Sequence, residues 1–290
     1  NTHFFFQRDY MEYHSDRFED LSLMFFDATD KLIAILPANV KENIVYSHQG
    51  LTFGGFLVDD KMKTETMLEI FELLKLFLKE QNIKKLVYKC IPYIYHLKPS
   101  EEDRYALFIN NTNLIRRDVS ATIDLNSKIK YQEQRARAVK KAMKNDLIFK
   151  ESKDFKNYWK ILEETLNTQH NAKPVHSIEE IEKLANLFSD NIKLFVAIKD
   201  NKMLGGTLVF ENKTIVHTQY LANSFEGRNV GALDFVIDKL INEVYSNKKY
   251  FDFGISNEDA GKYLNTGLIA QKEGFGARAV VHDFYELEIK

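Results

Sequence analysis

Tyr250-Phe251-Asp252-Phe253-Gly254-Ile255-Ser256, followed by Asn265-Thr266-Gly267-Leu268-Ile269-Ala270-Gln271-Lys272-Glu273-Gly274-Phe275-Gly276-Ala277-Arg278, is the stretch on which the fold turns. Its first part is an apolar, aromatic run of strand length that holds one carboxylate and ends in a glycine and a polar turn. Its second part reads as a helix near Asn265 to Glu273, with Lys272 just before Gly-Phe-Gly. A last strand from Ala279 to Ile289 follows. Strand, turn and helix in this order belong to an α/β arrangement, in which ligands gather where strands end.

Upstream, the pattern supplies partners for that strand. A helix over Phe155 to Leu166 precedes strands at Leu194 to Ile198, Lys202 to Phe210 and Thr214 to Leu221. Turns at Asp200-Asn201 and Asn212-Lys213 separate these strands. Ser224-Phe225-Glu226-Gly227-Arg228-Asn229-Val230-Gly231 reads as a loop feeding a periodic helix, with Leu233, Val236, Ile237, Leu240, Ile241 and Val244 on one face. Glycines before a helix can turn N–H groups toward an anion, and Arg228 can add a charged hydrogen bond to a phosphate. The alternative is a turn that uses glycine only for its backbone angles.

The first half runs in the same order. Leu21 to Asp27 and Lys31 to Val40 predict a hairpin, and a strand at Asn43 to Ser47 leads into Gly50-Leu51-Thr52-Phe53-Gly54-Gly55. Met67, Ile70, Phe71, Leu74 and Phe77 form a helical stripe. A strand at Lys85 to Ile91, a short helix at Glu101 to Ile109 and a strand at Leu114 to Leu125 complete the half. Two copies of one α/β unit fit 290 residues better than one large sheet, giving domains at 1–126 and 147–290. The joint, 127–146, carries Lys128, Lys130, Arg135, Arg137, Lys140, Lys141 and Lys144 against Glu133, with Ile129, Ala136, Val139 and Met143 on one helical face. It reads as a linker helix docked by that stripe. The alternative gives its cations phosphates to hold, from a nucleotide cofactor or an RNA backbone.

Composition narrows the class. Hydrophobic residues make up 44% and charged residues 28%, which suits a globular and not a disordered chain. Forty basic against 42 acidic side chains leave a net charge of −2, which rules out a coat of positive potential though not a local basic patch; no DNA partner is expected. Cys90, the single cysteine, excludes a disulfide scaffold and reads as a buried thiol of a reducing compartment. No integral membrane span is expected, since no run nears the ~20 apolar residues one needs, and the location reads as cytoplasmic. Gly-x-Ser-x-Gly, Gly-x-x-x-x-Gly-Lys-Ser/Thr, Gly-x-Gly-x-x-Gly and His-Glu-x-x-His are absent, setting aside the chemistries they carry. His170 and His176 straddle Pro174 at a spacing of six that is weak evidence for a metal; they read as surface or substrate-contact histidines, and no metal is expected.

In its C-terminal block the chain resembles the GNAT-like acyltransferases, and more closely their Fem-type branch, in which two such domains are fused. There a DFG strand precedes a GL…K…FG helix, matched here by Asp252-Phe253-Gly254, Gly267-Leu268 and Lys272…Phe275-Gly276. The resemblance spans essentially the whole chain. It implies an α/β (α+β) protein of two tandem GNAT-like domains, with mixed, mostly antiparallel sheets flanked by helices.

The resemblance also implies acyl transfer to an amine. Backbone N–H groups on a splayed strand near Thr218 to Leu221 would polarise the carbonyl, and His217 or Asp252 would take the amine proton. The same two residues could instead serve structure, His217 capping a strand and Asp252 binding N–H groups of the next turn. Lys272 matches the branch's functional lysine and would stabilise negative charge. Gln219, Tyr220, Arg228 and Gly231 would hold the donor, acyl-CoA with acetyl the expected group. Arg228-Asn229-Val230-Gly231-Ala232-Leu233 meets the phosphate pattern Gln/Arg-x-x-Gly-x-Gly/Ala in part, with Leu233 in its last position. On the acceptor side, Ser47 to Gly55 lies where relatives have a glycine-rich substrate loop, and Pro92-Tyr93-Ile94-Tyr95-His96 follows a strand. His48, Thr52, Gly54, Tyr95 and His96 are therefore the expected contacts to a small or sugar-linked amine, such as an amino sugar of a cell-surface polysaccharide precursor. An aminoacyl-tRNA donor is the alternative. Relatives of that kind have an aromatic residue before the lysine, where this chain has Gln271, and often a coiled-coil insertion not evident here. A non-catalytic binding module on the same fold is the third reading.

Overall fold

The computed structural model describes residues 3–170 and 172–290, the side chains of Gln169 and His170 excepted. In chain order the elements are α1 (Arg8–Met11), β1 (Glu19–Asp20), β2 (Leu23–Phe26), β3 (Leu32–Leu36), β4 (Asn39–Lys41), β5 (Ile44–Tyr46), β6 (Leu57–Val58), α2 (Thr64–Glu80), β7 (Lys85–Lys89), α3 (Glu102–Ile109) and β8 (Asn113–Asp124). They continue with α4 (Glu133–Met143), β9 (Ile148–Ser152), α5 (Phe155–His170), α6 (Ile178–Leu187), β10 (Ile192–Lys199), β11 (Lys202–Glu211) and β12 (Ile215–Asn223). After these come α7 (Phe225–Val230), α8 (Ala232–Lys239), β13 (Tyr250–Ile255), β14 (Asn257–Glu258), β15 (Tyr263–Leu264), α9 (Thr266–Glu273) and β16 (Arg278–Glu288).

The chain divides into two compact units, but not where the sequence places the boundary. The first unit holds the chain up to Val119 together with Asn257–Tyr263 and Val280–Lys290; the second holds Ser120–Ser256 and Leu264–Ala279. The basic segment 127–146 thus lies within the second unit, and the C-terminal strand counts with the first. Pairing explains the latter. β16 runs antiparallel to β7, from Phe284 opposite Lys89 to Glu288 opposite Lys85. An extended segment leaves its backbone groups to be satisfied by a neighbouring strand, and β7 offers that edge.

In the first unit β5 and β7 are parallel, with Ile44, Val45 and Tyr46 opposite Lys85, Leu86 and Val87, and α2 forms the crossover. The stripe expected for α2 is the buried one, Met67, Ile70, Phe71, Leu74 and Leu78. The hairpin expected over residues 21–40 is split. β2 and β3 pair in a small sheet with β6, whereas β4 pairs with β5 in the main one. Pro37, which has no N–H to give a ladder, stands at the break. Leu36, Val45, Phe71, Leu74, Leu86 and Tyr88 form the core, with Cys90 buried beside them.

In the second unit β9 to β12 form an antiparallel meander, and β13 returns parallel to β12. β9 and α6 lie outside the elements expected from the sequence. α6 nevertheless carries a legible start, since Ser177 and Glu180 close a capping box. The expected loop Ser224 to Gly231 is helical. Ser224 caps it by accepting from the Gly227 N–H, and Gly231, at φ +76°, ends α7 and begins α8. α4 packs on α8 through Val139 and Ala142. Ile129 and Met143, expected on that face, are exposed. The helix begins only at Glu133, and close packing brings the small side of α4 to Gly231, where an added Cβ would lie 2.9 Å from the Ala138 carbonyl oxygen.

A buried polar chain fixes the first unit's core. The Phe56 N–H donates to the Tyr88 hydroxyl at 2.9 Å, and that hydroxyl donates to Asp103 at 2.5 Å. Burial pushes the Asp103 carboxyl up to about 6. Tyr88→Phe removes the partner of both groups. It is expected to lower the unfolding free energy by about 1–3 kcal/mol for each group left unpaired, measured by urea denaturation.

Candidate active site

β12 and β13 pair only as far as His217 opposite Asp252. Two irregularities end the ladder there. On one side Thr218 stands opposite Val209 and Tyr220 opposite Leu208, so Gln219 is an extra residue on β12. On the other, the register of β13 against β8 shifts between Asp252 and Ile255, and Gly254 takes φ +75°. A bulge bends its strand and sharpens its twist, so the two strands part beyond this point. The bulge is pinned from below, where the hydroxyls of Tyr158 and Thr207 each donate to the Tyr220 carbonyl at 2.9 Å.

At the parting point sits a hydrogen-bonded pair. Asp252 is fully buried, and its Oδ2 lies 2.7 Å from Nδ1 of His217, which is 8% exposed. Its Oδ1 accepts from the Ser120 hydroxyl at 2.5 Å and the Thr122 hydroxyl at 2.7 Å. A carboxylate beside Nδ1 selects the tautomer with the proton on that nitrogen, leaving Nε2 as the basic one. Gly254 is required here, since a Cβ would stand 2.9 Å from Cε1 of His217. Lys272, carried by α9, donates to the carbonyls of Gly254 and Ile255 at 2.8 and 2.7 Å. Burial pushes its ammonium down to about 8, while the negative charge of Asp252 acts in the opposite sense. Asn265 caps α9 by accepting from the Leu268 N–H, which aims the lysine at the turn.

The structure therefore brings together His217, Asp252 and Lys272. The remaining donor-side residues divide. Gln219 forms the bulge, and Tyr220 has its hydroxyl 2.8 Å from Nδ1 of His176 and its ring edge-on to Trp159. Arg228 is exposed on α7. The Gly231 N–H donates to the Arg228 carbonyl, and α4 lies against its α-carbon. The side chain of His170 lies outside the described residues. Among the described residues no group of His, Cys, Asp and Glu could hold a metal ion. No helix among them is long and apolar enough to cross a membrane.

The expected acceptor residues lie in the first unit, mostly buried. His48 is buried at φ +65° with its ring stacked 5.5 Å from His14, and burial pushes its imidazole down to about 4. Lys89 holds this loop, donating to the carbonyls of His48, Gln49 and Leu51 at 3.0, 3.2 and 2.6 Å. Gly54 sits where a Cβ would be 1.7 Å from the Ser47 carbonyl oxygen. Tyr95 packs on Phe53, with ring centroids 4.2 Å apart. His96 is half-buried, and burial pushes it down to about 4. Of the five, only Thr52 is exposed. Sequence reasoning missed Ser120 and Thr122. Their signal was present as two hydroxyls at i and i+2 in a strand whose alternate residues, Ala121 and Ile123, are core.

No family model matches the sequence, and no curated protein does. Solved structures do resemble the fold. FemX superposes with a TM-score of 0.69 at 11% identity, covering 98% of this chain and 92% of that one. L-PGS from Bacillus licheniformis gives 0.62 at 10%, covering 93% and 84%. A conserved protein of unknown function from Bacteroides thetaiotaomicron VPI-5482 gives 0.62 at 10%, covering 97% and 90%. At these identities the likeness concerns the fold.

Two outcomes test the geometry. Gly254→Ala puts a methyl against His217 in a backbone conformation that disfavours it, so a shifted His217 ring resonance and a lower melting temperature are expected. Lys272 binds its proton less tightly folded than unfolded, with values of about 8 against 10.5. The unfolded state therefore holds more protons between those values, and stability owed to this group rises with pH there. Relative to Lys272→Met, the native chain is expected to gain up to about 1.4 kcal/mol per pH unit across that window in denaturant titrations.

Proposed function

We propose that this chain, which has the tandem GNAT fold of the Fem type, moves an acyl group from an activated donor to an amine. The acceptor is an amino sugar or another amine of a cell-surface polysaccharide precursor, and the donor is acyl-CoA, with acetyl the expected group. The observation that carries the reading is the His217–Asp252 pair at the point where β12 and β13 part. Amine attack forms a C–N bond and breaks the bond from the acyl carbon to the leaving sulfur or oxygen, and one proton must leave the nitrogen. His217 Nε2 takes that proton, directly or through water, while Asp252 holds Nδ1–H and stabilises the imidazolium. The leaving group then takes the proton up. Backbone N–H groups of β12 beyond His217, past the end of its ladder with β13, are the donors toward the developing oxyanion. Lys272 balances the charge of Asp252 and holds the turn that carries Gly254.

The donor divides the reading. Gln271, where tRNA-dependent relatives have an aromatic residue, supports a CoA thioester. At the expected diphosphate cradle, Arg228 to Gly231, the Gly231 N–H donates to the Arg228 carbonyl and α4 lies against the Gly231 α-carbon. No step is therefore routed through the donor's phosphates. A second reading, an aminoacyl-tRNA donor, draws on α4. Arg137, Lys140, Lys141 and Lys144 are exposed at helical spacing on one face, a stripe suited to a phosphate backbone. Arg135 does not belong to that stripe, being paired with Asp234 at 2.7 Å.

Release of free CoA thiol from acetyl-CoA in the presence of an amino-sugar nucleotide is the expected result, and His217→Gln is expected to lower the rate about 10²–10⁴-fold. Salt-sensitive binding of charged tRNA, lost in Lys140→Glu with Lys141→Glu, would instead select the second donor. Neither thiol release nor aminoacyl transfer, in folded protein, overturns the reading.

A further inference from the structure

We infer that Ser120 and Thr122 of β8 are positioning residues that set the pH at which the His217–Asp252 pair takes up its proton. Asp252 has no exposed surface, and its oxygens meet the Ser120 hydroxyl at 2.5 Å and the Thr122 hydroxyl at 2.7 Å on Oδ1, and His217 Nδ1 at 2.7 Å on Oδ2. Both hydroxyls are themselves buried. They come from successive positions of one face of one strand, so the backbone of β8 holds them in fixed register with β13, where Thr122 stands opposite Asp252. The titratable groups His217 on β12 and Lys272 on α9 also act on the carboxylate.

The consequence follows from counting charge. Without its extra proton the pair bears a buried negative charge, localised on Asp252 and stabilised by the hydroxyls. With the proton the pair is neutral, either as imidazolium and carboxylate or as imidazole and carboxylic acid. In both protonated forms the carboxyl depends less on the hydroxyls, because an imidazolium or its own proton shares the charge. Removing a hydroxyl therefore disfavours the deprotonated pair more than the protonated one, and the pair takes its proton at higher pH whichever residue carries it. The two hydroxyls thus favour the deprotonated form of the pair, the form able to accept an amine proton. This role rests on the acyl-transfer reading only for its catalytic use; the protonation midpoint is a property of the pair.

The midpoint is read without substrate, from ¹⁵N and ¹³C resonances of the His217 ring across pH, assigned by their loss in His217→Gln. Ser120→Ala and Thr122→Val, the latter nearly isosteric, are each expected to raise the midpoint by about half to one pH unit. Thr122→Ser restores the hydroxyl and is expected to bring it back. Where turnover is measurable, the acid limb of the pH–rate profile moves by the same amount. A midpoint unmoved in Ser120→Ala and Thr122→Val, with both folded by circular dichroism, would overturn the inference. A midpoint that moves in a protein that acylates no amine would uphold it and sink the acyl-transfer reading. Should Thr122→Val not fold, Ser120→Ala, which only deletes one oxygen, decides alone.

Discussion

A carboxylate without solvent contact is among the costliest groups a protein can bury, and the second unit is arranged around one. Asp252 is held by donors that converge on it from β8 and β12, with the charge of Lys272 acting beside them. Those donors must come from both flanking strands, so β13 has to lie between β8 and β12. Its neighbours can then diverge only beyond the residue that needs them. The parting of β12 from β13 at His217 and Asp252, the bulge at Gln219 and the left-handed Gly254 are parts of one geometric solution. A side chain at Gly254 would push the imidazole from the carboxylate that orients it.

Each unit also uses a buried ammonium to hold a turn. In the second, Lys272 binds the carbonyls of Gly254 and Ile255; in the first, Lys89 binds those of His48, Gln49 and Leu51. Carbonyls in a turn have no ladder partner, and a lysine with three donors satisfies several at once. Burial pushes both ammonium groups down to about 8, the cost of using a charge for this purpose. The parallel has a difference with functional weight. Lys89 fastens a loop that packs its own His48 and Gly54 inward, whereas Lys272 fastens the turn beside a histidine–carboxylate pair.

The fold was legible where a pattern is local. The stripe of α2, the meander of β10 to β12 and the DFG strand followed by its lysine helix were all readable from spacing. Local rules misled where tertiary contacts decide. The glycines of Ser224 to Gly231 read as a loop, yet Ser224 caps a helical turn and Gly231 serves the approach of α4. His48, Gly54 and Tyr95 read as strand-end loop residues, and the structure buries all three, with His48 stacked on His14 and Tyr95 on Phe53.

The sequence by itself determined which residues could carry chemistry: a histidine and an aspartate on two strands, and a lysine before Gly-Phe-Gly. It also determined the doubled α/β order, because hydrophobic period and turn residues are written into neighbouring positions. Only the tertiary structure decided that His217 and Asp252 stand opposite each other, that Ser120 and Thr122 complete the carboxylate's shell, and that the last strand pairs with β7. Register and long-range pairing depend on which backbone edges and buried charges remain to be satisfied, and residues 130 positions apart carry no local sign of that.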